Sequence, residues 1–143
     1  MNLTRFTDFG LRTLLYLAAQ PPERQVTIGE VVDYFSLSKN HVVKVVHRLA
    51  TLGYLETTRG RNGGIRLARE LSSICIGDVV RHMEPQLEPV DCHNPPCRLR
   101  GGCGLKVIFD EAMSAFMARL DRYSLRDLVQ QKGGMKAAFQ ISP

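Results

Sequence analysis

Three of the four cysteines, Cys92, Cys97 and Cys103, follow a C-x4-C-x5-C spacing. Thiolates are soft donors that bind iron and zinc tightly. The surrounding stretch PQLEPVDCHNPPCRLRGGCG holds four of the seven prolines and three of the twelve glycines, so no regular element is expected between Glu84 and Gly104. A chain so punctuated can fold three sulfurs onto one centre. The spacing lacks the close C-x2-C pair that clamps a single tetrahedral zinc ion. An iron–sulfur cluster, zinc and no metal at all are the open readings. Three thiols leave one iron site short of a protein ligand, for which His93, Asp91, Cys75 or a residue from elsewhere in a dimer are candidates. Cys75, between Ile74 and Ile76, reads as a buried, inert thiol. Asp8, taken alone, reads as a helix-start residue favoured by the helix dipole.

A second chemistry lies upstream. The net charge is +5, with ten Lys/Arg against five Asp/Glu in residues 1–69 and nine of each in residues 70–143. The positive excess therefore belongs wholly to the first half, which suits either a polyanion-binding surface or simple solubility. The stretch SKNHVVKVVHRLATLG presents Ser38, Lys39, Asn40 and His41 ahead of an apolar face of Val42, Val45, Val46 and Leu49. If this is the second helix of a helix-turn-helix, its leading end faces the base edges of the major groove. Asn40 could then pair with adenine, while Lys39, Lys44 and Arg48 reach guanine edges or phosphates. Further on, Arg59-Gly60-Arg61-Asn62-Gly63-Gly64 puts two guanidiniums on a glycine-rich tip, a form suited to a narrow minor groove.

The elements that must position these residues can be read from periodicity. Asp8 to Gln20 has a broad apolar helical face ended by Pro21-Pro22. Thr27 and Glu30 have the spacing of a capping box and open a short helix through about Tyr34. Ser38 can cap a third helix that stops at Gly53. Tyr54–Thr58 and Ile65–Leu67 read as the strands of a hairpin. Helix, short helix, helix, hairpin is the winged helix-turn-helix order. A helix is expected over Ile76–Met83, and a long one from Leu105, with Ile108, Phe109, Ala112, Phe116, Leu120 and Tyr123 as its apolar stripe. That stripe must be buried against its own domain or, more economically, against a second copy of itself.

The expected fold class is thus mainly α with a small β-wing: a winged helix-turn-helix domain plus a long dimerisation helix. The divisions are residues 1–70 for DNA binding, 71–103 for a helix and the cysteine loop, 104–128 for the long helix, and 129–143 for a loosely held tail. The charges at Arg5, Asp8 and Arg12 interrupt any leader-like apolar run, and no membrane-spanning stretch is present, so a cytoplasmic, reducing setting is expected. No nucleophile–base pair suggests an enzyme, and an electron carrier or small metalloenzyme would leave the basic wing unexplained.

The segments LTRFTDFGLRTLLYLA, SKNHVVKVVHRLATLGYL, RGRNGGIRLA, IGDVVRHMEP, the three cysteines and YSLRDLV together resemble the small iron–sulfur winged-helix regulators that include IscR and NsrR. Within that family the resemblance is nearest to the nitric-oxide-sensing repressors of the NsrR type. IscR-like members have a longer first cysteine gap and a histidine just after the third cysteine, both absent here, which counts against a [2Fe-2S] site of that kind. The resemblance implies a [4Fe-4S] cluster on Cys92, Cys97 and Cys103, with Asp8 of the partner subunit as fourth ligand. It further implies a homodimer on double-stranded, palindromic operator DNA, released when nitric oxide reaches the cluster. The alternatives are a regulator of the same fold that reads iron–sulfur supply or redox state, or a zinc-stabilised one.

Overall fold

The computed structural model describes residues 2–130 and Phe139. The proposed tail therefore lies almost entirely outside the described residues. Helix α1 spans Arg5–Ala18, three residues earlier than its apolar periodicity suggests, because Thr4 is the N-cap and its hydroxyl accepts from the Thr7 amide. Asp8 then lies in the first turn of the helix, the position that the helix dipole favours for a carboxylate. Helix α2 spans Ile28–Phe35 and opens on the expected capping box: Thr27 Oγ1 accepts from Glu30 N at 3.2 Å, and Glu30 Oε1 from Thr27 N at 2.9 Å. Ser36, at φ 53°, ends it in the left-handed region and turns the chain into α3, Lys39–Thr51. Ser38 is the N-cap of α3 by position, but its side chain makes no capping bond.

Strands β1, Leu55–Thr58, and β2, Gly64–Leu67, pair antiparallel with Leu55 opposite Leu67 and Thr58 opposite Gly64. Val26, ahead of α2, bridges to Ile65, so the wing is stitched to the helical domain at its base. A single 3-10 turn at Leu71–Ser73 leads to α4, Ile76–Met83.

The cysteine loop follows, and then α5 over Gly104–Leu120. The long helix ends there, eight residues short of the expected boundary at 128. A turn at Asp121–Tyr123 reverses the chain into a further helix, α6, Leu125–Gln130. Ser124 and Asp127 begin it reciprocally: Asp127 Oδ2 accepts from Ser124 N at 2.7 Å, and Ser124 Oγ from Asp127 N at 3.3 Å. Backbone bonds from Ile76 N to Tyr123 O and from Leu125 N to Ile74 O, both 2.9 Å, lock the starts of α4 and α6 together.

The core gathers around α1. Leu14, Tyr16 and Leu17 meet Val42, Val45 and Leu49 of α3, Ile76, Val79 and Met83 of α4, and Leu125 and Val129 of α6, all of them buried. Helix α5 behaves otherwise. Met117 is its single buried residue, while Leu105, Val107 and Ile108 are 59%, 55% and 61% exposed.

Candidate functional site

The charge surplus of the first half resolves residue by residue. Arg12 pairs with Asp8, Arg24 with Glu30 and Arg66 with Glu56 at 2.6–2.9 Å. Arg69 closes the end of α3, donating to the carbonyls of Gly53 and Leu52 at 2.8 Å while its guanidinium lies over the Tyr54 ring. Arg48 donates to the carbonyl of His82, at 3.2 Å, and so ties α3 to α4. Five of the ten cations are thereby engaged internally. Arg5, Lys39, Lys44, Arg59 and Arg61 have no partner among the described residues. Four of these five lie on α3 or the wing tip, where they create a local positive potential.

On α3, Ser38, Lys39, Asn40, His41 and Lys44 are exposed, while Val42, Val45, Val46 and Leu49 are buried. The helix therefore presents a polar face away from the core, as the sequence suggests. Arg48 departs from that expectation, since its head group is directed to α4. The His41 ring lies against Phe9 of α1, with centroids 6.2 Å apart. At the wing, Arg59 and Arg61 stand exposed on the turn between β1 and β2. The glycines around them have an internal explanation. A Cβ at Gly63 would overlap Thr58 O, one at Gly64 would press on the Val26 backbone, and Gly60 has φ +107°. They shape the hairpin itself, so their number says nothing about approach to DNA.

The loop between α4 and α5 carries Cys92, Cys97 and Cys103 as free thiols, Cys97 exposed and the other two half-buried. Local bonds give it shape. Cys97 N donates to Cys92 O at 3.1 Å, and Asp91 Oδ1 accepts from the amides of His93 and Asn94 at 2.8 and 3.1 Å. Those two amide bonds hold the Asp91 carboxyl below the usual carboxylate range. Asp91 is thus engaged in its own turn. Cys103 is the N-cap of α5 and makes no side-chain capping bond, which leaves its sulfur at the start of that helix. The donor set fits a thiolate-held iron–sulfur group, three soft ligands on one accessible loop, one ligand short. The three sulfurs are not gathered within 4.8 Å of one another in this conformation.

Asp8 sits on the outer side of α1, its carboxylate paired with Arg12 of the next turn through two contacts of 2.9 Å. It is close in sequence to a junction that sequence reasoning missed. Glu84, the first residue of the cysteine loop, accepts hydrogen bonds from Thr4 N, Thr4 Oγ1 and Thr7 Oγ1. Thr7 is fully buried. The base of the loop is therefore pinned to the first turn of α1 by a carboxylate, a contact between residues 77 or more positions apart that no local pattern announces.

A second unexpected grouping brings the ligand atoms of Cys75, Asp78 and Asp121 within 4.8 Å of one another, a potential metal-ligand cluster. Cys75 is half-buried, not buried as its neighbours suggested, because it precedes α4 at the edge of the core. Arg81 already occupies this grouping. It grips Asp121 with two bonds of 2.7 and 2.6 Å and reaches Asp78 at 3.1 Å. The arginine holds the Asp121 carboxyl below its ordinary range, and Asp121 in turn raises Arg81. A Cβ at Gly77 would overlap Asp121 Oδ1, so a larger residue there would have to displace the carboxylate from its present place beside Arg81. The grouping acts as a clasp between α4 and the end of α5.

The arrangement is a winged-helix domain joined through α4 to a thiol-bearing loop and a largely exposed helix. Residues 3–131 match the Rrf2 family, described as iron-dependent transcriptional regulators. The chain belongs to the Rrf2 family. Members of the Rrf2 family are transcriptional regulators, not enzymes. The Rrf2 fold is seen again in solved structures. CymR (YrzC), the global cysteine regulator of B. subtilis, is similar with a TM-score of 0.76 and 24% identity over 90% of this chain and 96% of that one. IscR of T. potens gives 0.74 and 22% over 91% and 87%, and CymR of Staphylococcus aureus 0.73 and 21% over 89% and 97%. At such identities the likeness speaks for the fold. Among the described residues of this Rrf2 regulator, no helix is long and apolar enough to cross a membrane.

Proposed function

We propose that this Rrf2 regulator is a cytoplasmic, nitric-oxide-sensing repressor that binds a palindromic operator as a homodimer carrying a [4Fe-4S] cluster. The observation that carries the reading is the position of the thiol loop. It begins at Glu84, pinned to the first turn of α1, and ends at Cys103, the cap of α5. A change in the loop is thus felt at both the reading head and the exposed helix. Cys92, Cys97 and Cys103 would hold the cluster, with Asp8 of the partner subunit as fourth ligand. When bound, the cluster supplies iron that reacts with nitric oxide.

The chain's own residues do the rest. To serve as a ligand Asp8 must leave Arg12, an exposed i,i+4 pair that costs well under ~1 kcal/mol to open. Joining α1 of one subunit to the loop of the other sets the separation of the two α3 helices, which must match half-sites about one helical turn apart. Lys39, Asn40, Lys44, Arg59 and Arg61 supply the base and phosphate contacts, with Ser38 and His41 beside them. Release of the loop relaxes the spacing and lowers operator affinity, a two-state dimer biased by a ligand.

The test is absorption and iron/sulfide analysis of anaerobically purified protein, followed by nitric oxide titration with operator DNA. A coloured protein with four irons per subunit that loses operator binding on nitric oxide is expected. Single Cys92→Ala, Cys97→Ala or Cys103→Ala changes should abolish both colour and tight binding, and Asp8→Ala should weaken retention of the cluster without unfolding the chain. Operator binding equal to holo protein in the cysteine variants would overturn the switch. A colourless zinc protein would make the metal structural, and release by oxygen or chelator but not nitric oxide would assign redox or iron–sulfur supply as the signal.

A further inference from the structure

The valines of α3 do not share one fate. Val42 and Val45 are fully buried and Val46 is 3% exposed, yet Val43 is 44% exposed. It is the large apolar residue left exposed on the outward face of this helix, and it belongs neither to the core cluster nor to the side chains packed against it. Its neighbours at i−4, i−3 and i+4 are Lys39, Asn40 and His47, all exposed, with Lys44 beside it. Truncating Val43 opens no cavity in the core cluster.

We propose that Val43 is a specificity-determining residue that packs against the C5-methyl group of a thymine in each operator half-site. The inference rests on α3 being the reading helix. Lys39 and Asn40 in the first turn and Lys44 in the second frame Val43 with donors suited to base edges and phosphates. Charged and amide groups there can distinguish donors from acceptors, but only an apolar surface rewards the thymine methyl, which is the one apolar feature of the major-groove edge. A β-branched side chain in a helix is held in one dominant rotamer, so its two methyls form a fixed surface and little freedom is lost on contact. The charge frame without Val43 binds DNA; the valine adds preference for T at one position.

The probe is a duplex enriched from a random pool by repeated binding to the full-length dimer, in which each thymine in turn is replaced by deoxyuridine, removing only its methyl. Val43→Ala and Val43→Thr are measured beside the wild type, with circular dichroism to confirm equal folding. Loss of one thymine methyl should weaken wild-type binding about fourfold per half-site, the value of one buried methyl-sized group. The Val43→Ala protein should bind the thymine and deoxyuridine duplexes equally. If no deoxyuridine position costs the wild type more than Val43→Ala, the contact does not exist. Lys39→Ala and Asn40→Ala separate the two levels: should they abolish binding in that case, α3 still reads DNA and only the Val43 contact falls. Should they bind as the wild type does, α3 is not the reading helix and both readings fall.

Discussion

Asp121 shows how much a single side chain depends on what faces it. By type and position it is an ordinary surface aspartate just past the end of α5. In the folded chain it takes two bonds from Arg81 of α4, which stabilise its charged form. Because its folded pKa is depressed, the stability it contributes is present above the ordinary aspartate value, about 3.9. It is lost as the pH falls through the lower folded value. Thermal unfolding followed between neutral and strongly acid pH should therefore show a decline below about pH 4 that is shallower in Asp121→Asn. An unchanged acid limb in that variant would show that the clasp adds nothing to folding. Asp8 carries the same lesson. Its type suits a helix dipole, an ion pair or a metal equally well, and only the fold reveals that it pairs with Arg12. The irregular loop that carries Cys92, Cys97 and Cys103 was legible from its prolines and glycines, because those residue types break regular structure by themselves. The surroundings of Cys75 were not, because Asp121 reaches it from 46 positions away.

Among the elements, those with a local stop or start signal were the most legible. The Thr27–Glu30 box, the Gly53 stop and the wing turn all appear where three- or four-residue patterns place them. Helix α6 has a similar signal in Ser124-x-x-Asp127, masked because the apolar stripe of α5 runs on in register through Tyr123. Apolar periodicity cannot mark where one helix ends and another begins when apolar residues continue at helical spacing through the turn between them. The wing makes an element-scale prediction. Arg59 and Arg61 are cations of the turn without a partner among the described residues, and in the proposed complex they would act through phosphate charge or a narrow groove. Replacing either by alanine should reduce the slope of log affinity against log salt by about 1 for each phosphate that is no longer neutralised. Arg66→Ala, which removes a cross-strand partner of Glu56, should leave that slope unchanged. Equal slopes for all three variants, measured by titration over a range of salt, would mean that the wing does not touch the DNA.

Over the whole molecule, the clearest imbalance is between α1, wrapped on several sides, and α5, which is bare. Leu105, Val107, Ile108 and Phe116 are exposed on a 17-residue helix whose neighbours are the loop and α4. A contiguous apolar helix face of this kind marks an interface, and a second copy of α5 is the partner that satisfies both with one contact. Ile108→Glu should therefore yield a monomer by sedimentation, with a native circular dichroism spectrum, since the residue lies outside the core. Operator affinity should fall steeply in the same variant because two half-sites are no longer bound together. A dimer of unaltered affinity would place the interface elsewhere.

What the sequence determined by itself were the features written in short range: helix periods, caps, the wing, the three-thiol loop and the location of surplus charge. These depend on residue type and on neighbours a few positions away, which is the range of backbone hydrogen bonding and side-chain reach. The tertiary structure alone decided which cations remain unpaired, that Glu84 fastens the loop to α1, that Arg48 turns to α4, and that Val43 faces outward among buried valines. Each of these is a competition between partners distant in the chain. Composition names the competitors, but only packing sets the distances that choose among them.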